Sequence, residues 1–262
     1  MFRHKTVEPA VIETPYTKRQ FFKHDPVTSI FLVIAVFFIS QIAAQVILSV
    51  YPSLKNWSQD QATAWLQDSV IAQFAFILMA ESFAIWLILK LVRKVRATKA
   101  DIGLKRPYLR DIAYAVVGYG VYFAAYIVLV IVAGHFTKLN TDQPQKIGFD
   151  SAGHSQLYLV FLSLVVLPPI AEEIMFRGFL FTSLRRKFRF RYAVILTSIL
   201  FGIAHLQFGN EVPLLWVAAL DTFTLSCVLC GLREKTGSLW ASIILHALKN
   251  SIAFIALFHT KF

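Results

Sequence analysis

The most evident shortage in this sequence is of charge. Only 16% of its 262 residues are charged, whereas a soluble domain normally carries about 25%. The charged residues are also clustered, which leaves several stretches of roughly 20 residues with almost none, the length that a bilayer core of about 30 Å requires. Together with the 57% of hydrophobic residues, this scarcity and clustering of charge excludes an ordinary soluble domain. We predict one integral membrane domain.

Cysteine is almost as scarce. The two cysteines, Cys227 and Cys230, form a lone C-x-x-C inside an apolar segment, and a structural zinc site needs a second pair of ligands. We therefore predict two small side chains buried on a membrane helix. The sequence also shows no internal repeat and no low-complexity linker.

The net charge of +11 raises the question of nucleic acid. The basic residues stand next to apolar segments, however, and that placement is typical of membrane topology rather than of phosphate binding. We predict a lipid bilayer as the surrounding medium and no nucleic-acid partner.

Seven apolar segments predict membrane spans. The first is too long for the apolar region of a signal peptide, and the fourth contains the pair Pro168-Pro169, which predicts a kink or break because proline removes a backbone donor and clashes with the preceding turn. The expected fold is an all-α, polytopic transmembrane helical bundle of about seven to eight spans with one Pro-broken helix. The predicted spans are Val27–Val50, Ser69–Leu89, Ile112–Val132, Leu157–Leu184, Tyr192–Phe208, Val212–Cys230 and Leu239–Phe258.

The distribution of lysine and arginine predicts the orientation. With the N-terminus in the cytoplasm, 20 of these residues fall in cytoplasmic segments and 4 on the opposite side, while two lie within spans. The positive-inside rule favours this arrangement. We expect a multi-pass plasma-membrane protein with residues 1–25 as a basic cytoplasmic tail and residues 26–156 as N-terminal transmembrane helices.

Ionisable residues inside the spans need a reason, because each costs about 2.5–3.5 kcal/mol on insertion scales. Glu173 and Arg177 are four residues apart on a helix and can pair as a structural salt bridge. Glu172 lies about 100° around the helix axis, so it is free to face a cavity as a general base. The alternative is that all three form a structural ion network.

Two histidines add to this group. His205 shares a helix face with Phe201, and His246 shares one with Asn250, where an imidazole and an amide could hold a water, a metal or a developing oxyanion. A lone membrane histidine is more often a packed residue, but two histidines and an acidic pair in one apolar half of the chain favour a buried polar centre.

Three other ionisable residues inside the spans give weaker signals. We expect Glu81 to lie near the cytoplasmic end of its span, within reach of the interface. Asp221 could support the polar centre or bind Thr222 or Thr224. Lys249 could extend toward the membrane surface or pair with an acid, and we assign it no role.

Three motifs in this order resemble those of the CAAX-protease and bacteriocin-processing (CPBP, Abi-type) family of intramembrane proteases. They are Glu172-Glu173-x-x-x-Arg177, Phe201-x-x-x-His205 and His246-x-x-x-Asn250. The resemblance covers roughly Leu157 to Phe258, so that residues 157–258 would form a CPBP-like catalytic transmembrane core. Family members have about eight spans, one more than predicted here.

The resemblance implies an endopeptidase with its site below the membrane surface. Glu172 would activate the attacking water, His205 would help to orient it, and His246 and Asn250 would stabilise the oxyanion, while Glu173 and Arg177 would brace the site. Zinc held by Glu172, His205 and His246 is one possible cofactor, and a metal-free mechanism is equally open.

The expected substrate is a peptide or a membrane protein, prenylated or not. Two functions of other classes stay open at this point. One is a catalytically silent membrane protein that binds a partner, as in immunity. The other is a small ion-coupled transporter, which is disfavoured because such proteins often contain inverted repeats with paired broken helices.

Overall fold

The computed structural model describes residues 25–136, 147–206 and 216–259, and this part of the chain is helical without any strand. The predicted tail therefore lies outside the described residues, except for Asp25. The helices are α1 (Thr28–Leu48), α2 (Val50–Leu54), α3 (Gln59–Asp68), α4 (Val70–Lys94), α5 (Leu109–Phe136), α6 (His154–Leu184), α7 (Phe190–Ala204), α8 (Trp216–Thr236) and α9 (Trp240–Phe258).

Six helical stretches in the described residues are long and apolar enough to cross a membrane: α1 continued by α2, then α4, α5, α6, α8 and α9. The remaining predicted span, Tyr192–Phe208, corresponds to α7, which has 15 residues. At 1.5 Å per residue α7 is about 22 Å long, shorter than a bilayer core of about 30 Å. The expected polytopic helical bundle is confirmed, with six long apolar stretches and the shorter apolar helix α7 among the described residues.

Helix α6 lies at the centre of the bundle. In the most apolar 18-residue stretch of α6, half of the residues are buried inside the protein. In the corresponding stretches of α1, α4 and α5 about a fifth of the residues are buried. Phe179, Leu180 and Phe181 of α6 are completely buried in the largest apolar cluster, which α1, α4, α7, α8 and α9 complete. The acidic motif is therefore carried by the helix that lipid reaches least.

The proline pair does not break α6. The helix widens into a turn of π geometry over Leu162–Val166, returns to α geometry over Leu167–Glu173, and widens again over Ile174–Phe181. Wider turns of this kind accommodate a residue that the normal hydrogen-bond ladder cannot hold, and they occur often at functional sites. The predicted interruption is thus a change of pitch within one continuous helix.

The basic connections meet at one end of the bundle. Arg185, after α6, pairs with Glu234 near the end of α8 at 2.8 Å. Arg233 donates to the backbone carbonyl of Asp101, in the connection between α4 and α5, at 3.2 Å. Lys187, also after α6, pairs with Asp25 of the predicted tail at 3.2 Å. Direct contacts therefore link all four segments predicted to share the cytoplasmic side.

The other end carries a short helix that the apolar pattern did not predict. Ser58 begins α3 with a capping box, in which its hydroxyl accepts from the Gln61 backbone while the Gln61 side chain accepts from the Ser58 backbone. Tyr51, Trp57 and Trp65 pack there with ring centroids 5.1–5.8 Å apart. Aromatic clusters of this kind are typical of membrane–water interfaces.

Candidate active site

The site begins with a fully buried ion pair on α6. Nη1 of Arg177 donates to Oε1 of Glu173 at 2.8 Å, and neither side chain is exposed. This is the i,i+4 pair that the spacing predicts. The same Oε1 accepts a hydrogen bond from Nδ1 of His246 on α9 at 3.0 Å, so Glu173 connects two helices as well as neutralising the arginine.

Phe201 packs at the centre of this arrangement. The Arg177 guanidinium lies 4.3 Å from the centre of its ring, and the rings of His205 and His246 lie 4.6 and 5.9 Å from it. The backbone carbonyl of Phe201 also accepts a hydrogen bond from Nδ1 of His205 at 2.8 Å. The Phe-x-x-x-His spacing therefore fixes both the position and the orientation of His205.

These hydrogen bonds assign the histidine protons. The carbonyl bonded to His205 and the carboxylate bonded to His246 can only accept, so Nδ1 carries a proton in both rings. In the neutral form each Nε2 then has a free lone pair, and each Nε2 faces Oε2 of Glu172. The distances are 4.0 Å from His205 and 3.8 Å from His246.

Glu172 differs from Glu173 in having no fixed partner. Its Oε2 is buried, and no group in the described residues donates a hydrogen bond to it, although its side chain as a whole is 20% exposed. A carboxylate oxygen left open between two imidazoles can bind and deprotonate a water molecule. The structure thus separates a braced acid from an open one, as the helix geometry predicts.

Asn250 is placed differently from the other three predicted catalytic residues. Its amide nitrogen donates to the backbone carbonyl of Leu164 at 2.9 Å. The residues four and five positions later, Pro168 and Pro169, have no N–H, so the helix cannot satisfy this carbonyl. Asn250 therefore compensates for the proline pair, one helical turn from His246.

A cavity of about 70 Å³ opens beside Glu172 and His205. Met175 and Phe176 of α6 and Ala204 of α7 form one wall, and helices α1 and α4 form the other. The residues of that second wall are Phe37, Ser40, Gln41, Glu81 and Ala84. The cavity is larger than the 10–15 Å³ that one water needs, so there is room for water beside the open carboxylate.

The sequence expectation for Glu81 is wrong, and so is one of the two alternatives given for Asp221. Asp221 does not bind the neighbouring threonines, whose hydroxyls donate to backbone carbonyls; it pairs with Lys249 at 2.8 Å and accepts from the Tyr122 hydroxyl. Glu81 does not lie at a helix end, because α4 extends beyond the predicted span and places it mid-helix. Both residues stood out as intramembrane acids, but neither helix carries a motif that predicts a partner.

The side chains of Glu172, His205 and His246 are of the right chemical type for zinc, but their arrangement fits zinc less well. One carboxylate and two imidazoles are suitable zinc ligands. In the part of the chain that the structure describes, however, no group of three His, Cys, Asp or Glu side chains is placed closely enough to hold a metal ion. The two cysteines of α8 are free.

Comparison with known proteins points to the same half of the chain. Residues 154–252 match the family model described as "Type II CAAX prenyl endopeptidase Rce1-like". A protein of Bacillus subtilis (strain 168) named "Putative membrane peptidase YdiL" is 31% identical over 97 residues, which are 37% of this chain and 36% of that protein. The match thus spans about a third of the length of this relative.

No solved structure matches the chain. The matched region nevertheless holds the three motifs, and their residues meet at one site in the bundle. Over residues 154–252, which hold the three motifs, the chain is therefore similar to the Rce1-like family of CAAX prenyl endopeptidases.

Proposed function

We propose that this protein is an intramembrane endopeptidase, which hydrolyses a peptide bond of a membrane-associated protein or peptide. One observation carries the proposal. The buried Oε2 of Glu172 has no hydrogen-bond donor in the described residues and stands 3.8–4.0 Å from two imidazole nitrogens, beside a cavity large enough for water.

In the proposed reaction, Glu172 takes a proton from a water molecule as the water oxygen attacks the scissile carbonyl carbon. His205 accepts a hydrogen bond from the same water through its free Nε2. The C–N bond then breaks, and the amine nitrogen gains one proton, so that one water is consumed for each bond cleaved. General base catalysis of this kind contributes about 10²–10⁴-fold to a rate.

The oxyanion of the tetrahedral intermediate needs donors on the other side of the carbonyl. When protonated on both nitrogens, His246 would donate from Nε2, and the Glu173 carboxylate at its Nδ1 would stabilise the imidazolium, as an acid does in a hydrolase triad. Asn250 has a second amide N–H beyond the one that binds Leu164. We assign that N–H to the oxyanion as well.

The decisive experiment compares membrane peptides from cells that carry the wild type or Glu172→Gln, by quantitative mass spectrometry of new N-termini. Glu234→Gln is the matched control, because it removes a carboxylate that pairs with Arg185 away from the site. We expect a precursor to accumulate with Glu172→Gln alone.

The outcome also distinguishes the other classes of function. If no precursor accumulates with Glu172→Gln under any growth condition, the protein acts by binding a partner rather than by cleavage. A farnesylated C-a-a-X peptide and its unprenylated form, offered to the purified protein, show whether the prenyl group is required.

Zinc is a separate hypothesis, with Glu172, His205 and His246 as its ligands. The mechanism above uses protein groups only. Metal analysis of the purified protein tests the hypothesis: stoichiometric zinc that is lost in His246→Ala supports it, and full cleavage activity after dialysis against a chelator, with no metal detected, contradicts it.

We also infer that the basic end of the bundle faces the cytoplasm of a cell whose plasma membrane holds the protein. The contact of three basic connections at one end supports this orientation. Reporter fusions after Lys94 and after Phe136 test it. The first should report a cytoplasmic location and the second the opposite side, and the reverse pattern would contradict the inference.

A further inference from the structure

Glu81 is a carboxyl group for which the reaction above has no use. It lies in the middle of α4, eleven residues after Val70 and thirteen before Lys94, so a bilayer around the bundle would place it near mid-depth. Ionisable groups at that depth are costly, and they face the protein interior or a wet cavity where they have a function. Glu81 lies in the inward stripe of α4 together with the buried Ala80, Ala84 and Ile88.

The cavity beside Glu172 is where Glu81 points. Glu81 lines that cavity together with Glu172 and His205. The two carboxyl groups come from different walls, one from α4 and one from α6. Both therefore face the space in which the attacking water would stand.

Glu81 has no partner that would explain its burial. In the described residues, no side chain donates a hydrogen bond to it or forms an ion pair with it. The other polar residues on its side of the cavity are Ser40 and Gln41, which carry no charge. This differs from Asp221, whose carboxylate is paired with Lys249 at 2.8 Å.

Two carboxyl groups in one cavity suit a division of labour. Like charges so placed disfavour ionisation of both groups at once, and pairs of acids whose environments differ commonly act as base and acid. Glu172 has two imidazoles beside it that can stabilise its reaction as a base. Glu81 has no imidazole beside it and faces His205 only across the cavity. It is therefore suited to the role of acid.

We propose that Glu81 is a further catalytic residue, which gives its proton to the leaving amine. This inference rests on the proposed endopeptidase function. Glu172 takes one proton from water, the remaining hydroxide bonds to the carbonyl carbon, the C–N bond breaks, and the nitrogen receives the proton of the Glu81 carboxyl. The proton held by Glu172 then returns to Glu81 through water in the cavity, which restores both groups.

Glu81 lies outside residues 154–252, so the family match does not include it. The proposal therefore gives the N-terminal half of the chain a chemical task. Helix α4 would complete a site whose three motifs lie on α6, α7 and α9.

The test separates acid catalysis from a structural role by changing the leaving group. The purified full-length protein in detergent is offered a library of quenched fluorescent decapeptides, and the member cleaved fastest is resynthesised as an ester, in which oxygen replaces the scissile N–H. An alcohol leaves with far less need of a proton than an amine does. The variants are Glu81→Gln, Glu81→Asp, Glu172→Gln and the distant control Glu234→Gln.

We expect Glu81→Gln to lower kcat on the amide by about 10²–10⁴-fold, the range of general acid catalysis, and to change ester hydrolysis by less than about 10-fold. Glu172→Gln should lose both activities, and Glu234→Gln should keep both. Glu81→Asp retains an acid and should retain a measurable part of the amide activity, which keeps the test valid if Glu81→Gln fails to fold.

Three results would overturn the assignment. Full amide hydrolysis by Glu81→Gln removes the residue from the reaction. Equal losses on amide and ester, in either the Gln or the Asp variant, indicate a structural role only. If the wild type cleaves neither substrate, the endopeptidase proposal fails and the role of Glu81 fails with it, whereas the first two results leave the endopeptidase proposal intact.

Discussion

The ion pair between Glu173 and Arg177 gives the sharpest prediction about stability. Both side chains are completely buried, and they are 2.8 Å apart. Replacing Arg177 with Met leaves a buried carboxylate without its cation, and replacing Glu173 with Gln leaves a buried guanidinium without its anion. Removal of one partner from a buried pair costs about 3–5 kcal/mol.

The double variant Glu173→Gln/Arg177→Met should be more stable than either single variant. A buried pair that is replaced as a whole by groups of similar volume is often lost at little cost, because both desolvation penalties disappear with it. The amide oxygen that Glu173→Gln introduces can also still accept from Nδ1 of His246, so this second contact is retained.

The measurement is thermal unfolding in detergent, followed by a thiol-reactive dye that reports exposure of Cys230, which is buried in the folded protein. For a chain of this size 1 kcal/mol corresponds to about 2–4 °C, so each single variant should lose about 6–20 °C. Lys187→Met is the control, because its pair with Asp25 is more than half exposed and such pairs contribute at most about 1 kcal/mol.

The reasoning about the pair is refuted if the losses simply add. A double variant that is less stable than both single variants would mean that the two charges do not depend on each other in the folded protein. Single variants that unfold like Lys187→Met would refute it equally, because then neither buried charge would need its partner.

Two further predictions concern neighbouring residues. Asn250→Ala should lower the free energy of unfolding by about 1–3 kcal/mol, the penalty of an unsatisfied buried acceptor. Adding Pro168→Ala to that variant should restore part of this free energy, because it supplies an N–H to the Leu164 carbonyl. A double variant as unstable as Asn250→Ala would contradict this account. Glu172→Gln should leave the unfolding temperature unchanged or raise it, because Glu172 Oε2 has no donor to lose among the described residues; a clear drop would show that Glu172 holds the fold together.

Much of the fold follows from the sequence because membrane insertion obeys local rules. A stretch of about 20 apolar residues must be helical in lipid, since its backbone groups can find no water. The six long helices overlap predicted spans for this reason. The end of α4 could not be predicted as well, because the basic residues Lys90, Arg93 and Lys94 continue the helix beyond its apolar part.

The way in which α6 accommodates its two prolines could not be predicted from local sequence rules either. The sequence indicates that the Leu164 carbonyl loses its donor, but the donor that replaces it, Asn250, is 86 residues away in the chain. A distant amide can stabilise a widened turn where local geometry alone predicts a break. For the same reason the sequence could not predict that Asp221 is the acid with which Lys249 pairs.

The sequence by itself determined that the protein is a helical membrane bundle, that Glu173 can pair with Arg177, and that Glu172 points elsewhere, because each depends on hydrophobic length or on the 100° step of one helix. Only the tertiary structure decided that Glu172, His205 and His246 meet, and that Glu81 faces the same cavity. Those relations join residues of different helices, and the packing of side chains between helices, rather than any spacing along the chain, fixes them.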